Sequence, residues 1–308
     1  MNLRQFRYFI EVVDAGSVSR AAASLRVAQP ALSLQISNLE KELGTSLLVR
    51  GPRGVHPTAA GDICYRRARA VLSEIQHMRD ELLSADGMSG EVSLGLTTSF
   101  LEEFADRIVS GVRAREPGVR LQIFDAASHV LEDSLLRGSL DIALLHDAAA
   151  THGLRQRPIF RQRLFYVERE GAGAVHATTV GISELVGRRL VLPTLPNATR
   201  IVVEAAFDAI GAKPVVAAEA NSRNALLALV AGGADGTVLA WGGSPDPAYR
   251  WTMIGEPAVC HEVSLCTGRI LPLSDLRSKV EQIVEEIVMD TIRQPAWIGA
   301  EPVSAPDI

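Results

Sequence analysis

Apolar positions recur at intervals of three and four through the first forty residues. Leu3, Phe6, Ile10 and Val13 fall on one helical face, and Leu32, Ile36, Leu39 and Leu43 on another, the periodicity of helices half buried against a core. Between them Gly16 and Ser17 supply a stop and a cap. A short helix then buries Ala21, Ala22 and Leu25, and its alanines let a neighbour approach closely. Pro30 suits the first residue of the third helix, where its missing N–H is not needed. The outward face of that helix carries Pro30, Leu34, Ser37, Asn38 and Lys41. It is short, polar and weakly basic, which suits a groove better than open solvent. The run LLVRGPRGVHPT then predicts two short strands around Gly51–Gly54, a hairpin or wing carrying Arg50 and Arg53.

From Thr58 the helical period continues to Asp86-Gly87. Cys64, Ala68, Val71, Ile75, Met78, Leu82 and Ala85 alternate steps of four and three, a heptad seam that packs either on its own chain or on a second copy. After Gly90 strands and helices alternate. A strand running into an exposed turn is expected over 91–99, further strands over 119–126, 140–146, 161–168, 188–193, 214–220, 236–241 and 260–267, and helices over 100–116, 128–138, 199–211, 222–233 and 273–292. That order predicts a parallel sheet with crossover helices. The tail from 296 to 308 has proline, glycine and no period, and is expected to be mobile.

Charge divides the chain. Residues 1–69 hold ten Lys and Arg against five acids, a balance of +5, which leaves −10 over the rest of a chain whose net charge is −5. A basic end on an acidic body points to a polyanion partner for the first segment alone. With 47% hydrophobic and 22% charged residues the 308-residue chain is an ordinary globular protein of two or three domains. Glu11 and Asp14 interrupt the start where a secretory leader needs apolar residues, so a cytoplasmic location is expected. Cys64, Cys260 and Cys266 have no metal-ligand spacing. Cys260 and Cys266 read either as a redox pair or as buried thiols.

GSVSRAAASLRVAQPALSLQISNLEKELGTSLLVR followed by GVHPTAAG resembles the winged helix-turn-helix of LysR-type transcriptional regulators, and the layout of nearly the whole chain is similar to that family, the opening most of all to its nitrogen assimilation control branch. The resemblance implies an α/β protein: a DNA-binding domain over 1–58, a linker and dimerisation helix over 59–88, and a two-lobed periplasmic-binding-protein-like effector domain over 89–295. Lobe I would take 89–162 and 268–295, and lobe II 163–267, with the chain crossing near Gln162 and Thr267. Gln29, Pro30, Ser33 and Leu34 would open the recognition helix, with Ser37 on its outward face. Gln29 suits adenine, and Leu34 either meets a thymine methyl or packs on a neighbour. Lys41, Arg50 and Arg53 would hold phosphates.

The resemblance further implies pairing of two subunits through Ala68, Val71, Ile75, Met78 and Leu82, as a homodimer or homotetramer on an inverted repeat in double-stranded promoter DNA, with RNA polymerase a further partner. Its effector turns match Thr97, Thr98, Ser99 and Phe100, and Thr194 through Arg200. Hydroxyls and helix starts there suit a small anion, and Arg200 would add a charge-assisted bond. Ser99 and Thr199 read equally well as helix caps. Asp235, in GGADGTVLA, argues against a carboxylate beside it. His129 and His146 are weaker candidates. No cofactor and no metal are expected, and no Walker segment, HExxH or GxSxG pattern points to an enzyme. The alternatives are a DNA-binding or interaction protein that keeps the fold without an effector, a solute-binding protein, or an enzymatic cleft.

Overall fold

The computed structural model describes residues 1–51, 54–83, 90–148, 153–169, 175–241, 248–255, 258–269 and 275–303. Helix α1 (Leu3–Ala15) starts at a reciprocal cap, Asn2 Oδ1 accepting from the Gln5 amide at 3.0 Å and Gln5 Oε1 from the Asn2 amide at 2.9 Å. It stops at Gly16, whose φ of +60° is the left-handed region glycine tolerates. Helix α2 (Val18–Ser24) begins at the Ser17 cap, and α3 (Gln29–Leu43) ends on Gly44. Gln29, not Pro30, is the first helical residue, so the proline stands one position further in than its missing N–H suggested. Leu32, Ile36 and Leu39 are fully buried with Phe9 and Val12. Leu43 is 41% exposed, because the core closes over Leu39 one turn earlier.

The wing is an antiparallel pair, β1 (Leu48–Gly51) and β2 (Gly54–Pro57). Glu40 of α3 fastens it by accepting from the Leu47 and Leu48 amides at 2.7 and 3.2 Å. Helix α4 (Ala59–Leu83) follows, with the Thr58 hydroxyl accepting from the Gly61 amide at 2.9 Å. Tyr65 and Ala68 of α4 are buried in the core of the first three helices. Ala68 therefore packs within its own chain, and the expected seam offers a partner only residues beyond it. Gly61 lies against the backbone carbonyl of Leu47, where a Cβ has no room and the rigid wing cannot yield. Gly61→Ala is expected to destabilise this domain by about 2 to 3 kcal/mol, measured by chemical denaturation, with the effector domain unaffected.

The remaining strands form one mixed sheet. Its lobe I half orders β4 (Val119–Asp125), β3 (Gly90–Leu96), β5 (Ile142–His146), β12 (Cys260–Gly268) and the first part of β6 (Leu154–Glu168). Its lobe II half continues from β6 to β10 (Gly236–Ala240), β8 (Arg189–Leu192) and β9 (Val215–Glu219), with β11 (Arg250–Ile254) and β7 (Val175–Val180) alongside. Helices α5 (Thr98–Arg115), α6 (Ser128–Leu136) and α9 (Asp275–Ile292) belong to lobe I, and α7 (Ala198–Asp208) and α8 (Arg223–Ala231) to lobe II. Strand β6 pairs with β12 up to Arg163 and with β10 from Leu164, so its pairing changes beside Gln162.

The second crossing differs from expectation. All of β12 pairs within lobe I, with Cys260 opposite Arg163, so the chain returns before Cys260 rather than near Thr267. Antiparallel pairing along β6 requires this, and lobe II ends near Val259. Strands β7 and β11 had no clear periodic signature. The tail is not mobile as far as Val303: Trp297 is buried, stacks on Phe104 at 5.0 Å and donates from Nε1 to Gln162 Oε1 at 2.8 Å. This anchor lays β13 (Ala300–Pro302) beside β6. Residues 304–308 lie outside the described residues. Among the described residues no helix is long and apolar enough to cross a membrane.

Candidate nucleic-acid interface and effector cleft

The outward face of α3 stands clear of the domain. Gln29, Pro30 and Lys41 are exposed, Ser33 and Ser37 are half-buried, and Leu34 is 57% exposed. Leu34 thus does not pack into a neighbour. The N-cap of α3 is Ala28, which caps no amide with its side chain, so the first turn keeps free donors on the same end as Gln29. Gln29 Oε1 accepts from Ser19 Oγ of α2 at 3.1 Å, which orients the amide. Sequence reasoning missed Ser19, although an exposed hydroxyl at the start of the preceding helix was a legible signal. Arg50 is exposed on the wing, and Arg53 lies outside the described residues. On α4, Val71 is 41% and Met78 50% exposed and Ile75 is half-buried. The Leu82 side chain lies outside the description.

A cavity of about 350 Å³ opens between the lobes. Thr97, Thr98, Ser99, Thr194 and Thr199 line it, bringing together residues from two turns about a hundred positions apart. Phe100 does not: it is 3% exposed, faces the sheet, and stacks on His146 with ring centroids 4.2 Å apart. Arg200 is also absent from the wall. Its guanidinium is buried and consumed by Glu204 and Glu219, each at 2.7 Å, and by the Pro193 carbonyl at 3.0 Å. The cation in the wall is Arg223, at the start of α8, held over the Trp251 ring at 5.0 Å. Asp235 is engaged elsewhere, accepting from the Arg189 amide at 2.7 Å. That bond holds its carboxyl below the usual range.

Two family descriptions match the chain. "Bacterial regulatory helix-turn-helix protein, lysR family" matches residues 3–62, and "LysR substrate binding domain" matches residues 85–239. The nitrogen assimilation regulatory protein nac of Klebsiella aerogenes is 30% identical over 98% of both chains. The chain belongs to the LysR family. Solved structures agree on the fold: full-length OxyR from Pseudomonas aeruginosa, 19% identical over 99% of both chains, has a TM-score of 0.71. Full-length CbnR complexed with its target DNA is 22% identical, covers 93% of this chain and 100% of that one, and has a TM-score of 0.61.

This LysR-type transcriptional regulator therefore joins a DNA-binding helix-turn-helix to an effector-binding domain, the α/β fold class expected. Its lobes are tied across the cleft by a side-chain relay. His261, fully buried where β12 begins, bonds Asp147 through Nδ1 and Thr199 Oγ1 through Nε2, the latter at 3.0 Å. Asp147, at the end of β5 with φ +46°, also accepts from the Glu262 amide at 2.8 Å. Lobe I thus reaches the first turn of α7 in lobe II through one imidazole.

The cysteines of this LysR protein are held as thiols. Cys260 and Cys266 stand six residues apart on one strand, about 20 Å in extended chain, where a disulfide needs Cα atoms within about 7 Å. Burial pushes the Cys266 thiol up to about 12 and the Cys260 thiol up as well.

Proposed function

We propose that the protein works as a homodimer, or as a homotetramer built from two such dimers, that reads an inverted repeat in promoter DNA and answers a small-molecule effector in the interlobe cleft. The observation that supports DNA reading best is the exposed short-chain face of α3, with an uncapped first turn and basic residues on the helix and wing flanking it. Two-fold pairing through the exposed apolar residues of α4, Val71 and Met78 with Ile75, would present two such helices to two half-sites. Gln29 and Ser33 meet base edges, while Lys41 and Arg50 hold phosphates. In the cleft, Thr98, Ser99, Thr194 and Thr199 meet the effector, which acts by favouring one lobe arrangement over another. Arg53 completes the wing contact in this reading, and the protein works in the cytoplasm.

Selection of the full-length protein on randomised duplex DNA tests this directly. An enriched inverted repeat is the expected result, and a single half-site or no enrichment would overturn the dimeric reading. On the selected operator, Ser33→Ala is expected to lose about tenfold in affinity while its binding to scrambled DNA is unchanged. Arg50→Ala should weaken both and lower the salt slope by about one. Equal losses of Ser33→Ala on both DNAs would remove it from base reading.

A further inference from the structure

Of the four residues that open α3 on its outward face, Gln29, Pro30, Ser33 and Leu34, only Gln29 carries a donor and an acceptor side by side on one planar group. Such a group recognises a base by which of the two it holds foremost. The residue type does not fix that choice. Turning the amide over exchanges Oε1 and Nε2, and the terminal torsion of an exposed glutamine turns at little cost. With Nε2 foremost it donates to N7 of adenine, and with Oε1 foremost it accepts from the N4 amino group of cytosine. A freely turning Gln29 therefore reads two bases rather than one.

One hydrogen bond settles the orientation. Ser19, the second residue of α2, donates from Oγ to Gln29 Oε1 at 3.1 Å, ten positions along the chain and across the turn between the helices. A serine hydroxyl can also accept, by rotating its hydrogen toward Nε2. Both residues, however, sit in the first turns of their helices, and that of α3 has no side-chain cap. Positive partial charge there favours the carbonyl end of the amide over its NH2 end. Oε1 is the anchored atom, and no described contact uses Nε2. Oε1 keeps a second lone pair for the N6 amino group of adenine, so anchoring it does not forfeit a bidentate contact.

Stability does not account for this bond. Both residues are exposed, and water replaces an exposed hydrogen bond at little cost. It gains strength only where water is excluded, as between a recognition helix and a base pair.

We propose that Ser19 is a positioning residue for sequence recognition: it holds the Gln29 amide with Nε2 outward and so confines one position of each half-site to adenine against cytosine. Ser19 itself touches no base and acts through Gln29. The assignment rests on α3 lying in the major groove.

The test repeats selection on randomised duplex DNA with the full-length protein and with Ser19→Ala, Ser19→Thr, Gln29→Ala and the double variant Ser19→Ala with Gln29→Ala, and measures affinities for the selected operators by fluorescence anisotropy. Gln29→Ala is expected to flatten the preference at one base pair of each half-site, which marks the position read. At that pair Ser19→Ala should lose about fivefold in discrimination of adenine against cytosine, with the preferences at other pairs kept. Ser19→Thr, which retains the hydroxyl, should restore the discrimination, and in the Gln29→Ala background Ser19→Ala should change nothing further. Uniform weakening of Ser19→Ala on every operator would make Ser19 a phosphate contact and overturn the proposal. A preference lost in Gln29→Ala but kept in Ser19→Ala removes the positioning role and leaves the groove reading intact. If Gln29→Ala, folded by thermal melting, keeps every base preference, base reading by Gln29 fails and the proposal falls with it.

Discussion

Leu34→Glu is expected to lower DNA affinity by a hundredfold or more without unfolding the protein. Leu34 is 57% exposed on α3 and has no buried packing to lose, so its replacement should change stability by less than about 0.5 kcal/mol. In a major groove the same position is surrounded by phosphates, and a carboxylate there trades an apolar contact for like-charge repulsion in a region of strong negative potential. Fluorescence anisotropy on the selected operator at two salt concentrations, beside a thermal melt, measures both quantities. Raising the salt should recover part of the loss, since screening weakens the repulsion. Unchanged affinity in a folded variant would take this face of α3 out of the groove.

Arg277→Ala is expected to cost about 3 to 5 kcal/mol, the largest stability loss predicted for this chain. Arg277 is 5% exposed on α9 and pairs with Asp141 at 2.6 Å. Asp141 also accepts from Ser93 N and Oγ, both at 2.8 Å, so it joins the start of β5 to β3. Removing the guanidinium leaves that carboxylate largely buried beside no cation. The double variant Asp141→Asn with Arg277→Ala should recover part of the loss, and a denaturation cycle of the four proteins measures the coupling. Arg277 further donates to Ser73 Oγ of α4 at 3.0 Å, so the same substitution should loosen the linker helix from the effector domain. A loss below about 1 kcal/mol would mean that solvent reaches the pair and screens it.

The helix-turn-helix was legible almost to the residue because its determinants are local. The stop at Gly16, the cap at Ser17 and apolar steps of three and four act within one or two turns, and the structure follows them. The exceptions have the same origin. Leu43 continues the period but not the burial, since where a core ends depends on what lies opposite. Ala68 fits the heptad, yet it is buried in the core it shares with residues of α1 and α3.

In the effector domain the alternation of strands and helices was readable, but the allocation of charges was not. Arg200 and Arg223 look alike in sequence, each at the start of a lobe II helix. Only the fold shows that Glu204 and Glu219 consume the first while the second faces the cavity. The second crossing point, the relay from Asp147 through His261 to Thr199, and the tail anchored by Trp297 on Gln162 likewise join residues 62 to 135 positions apart. The helices of the first domain, the stop at Gly16, the cap at Ser17 and the family were legible in local spacing alone. Tertiary structure decided which polar groups remain unpaired, because pairing at such separations is set by strand register and packing, and no local spacing encodes it.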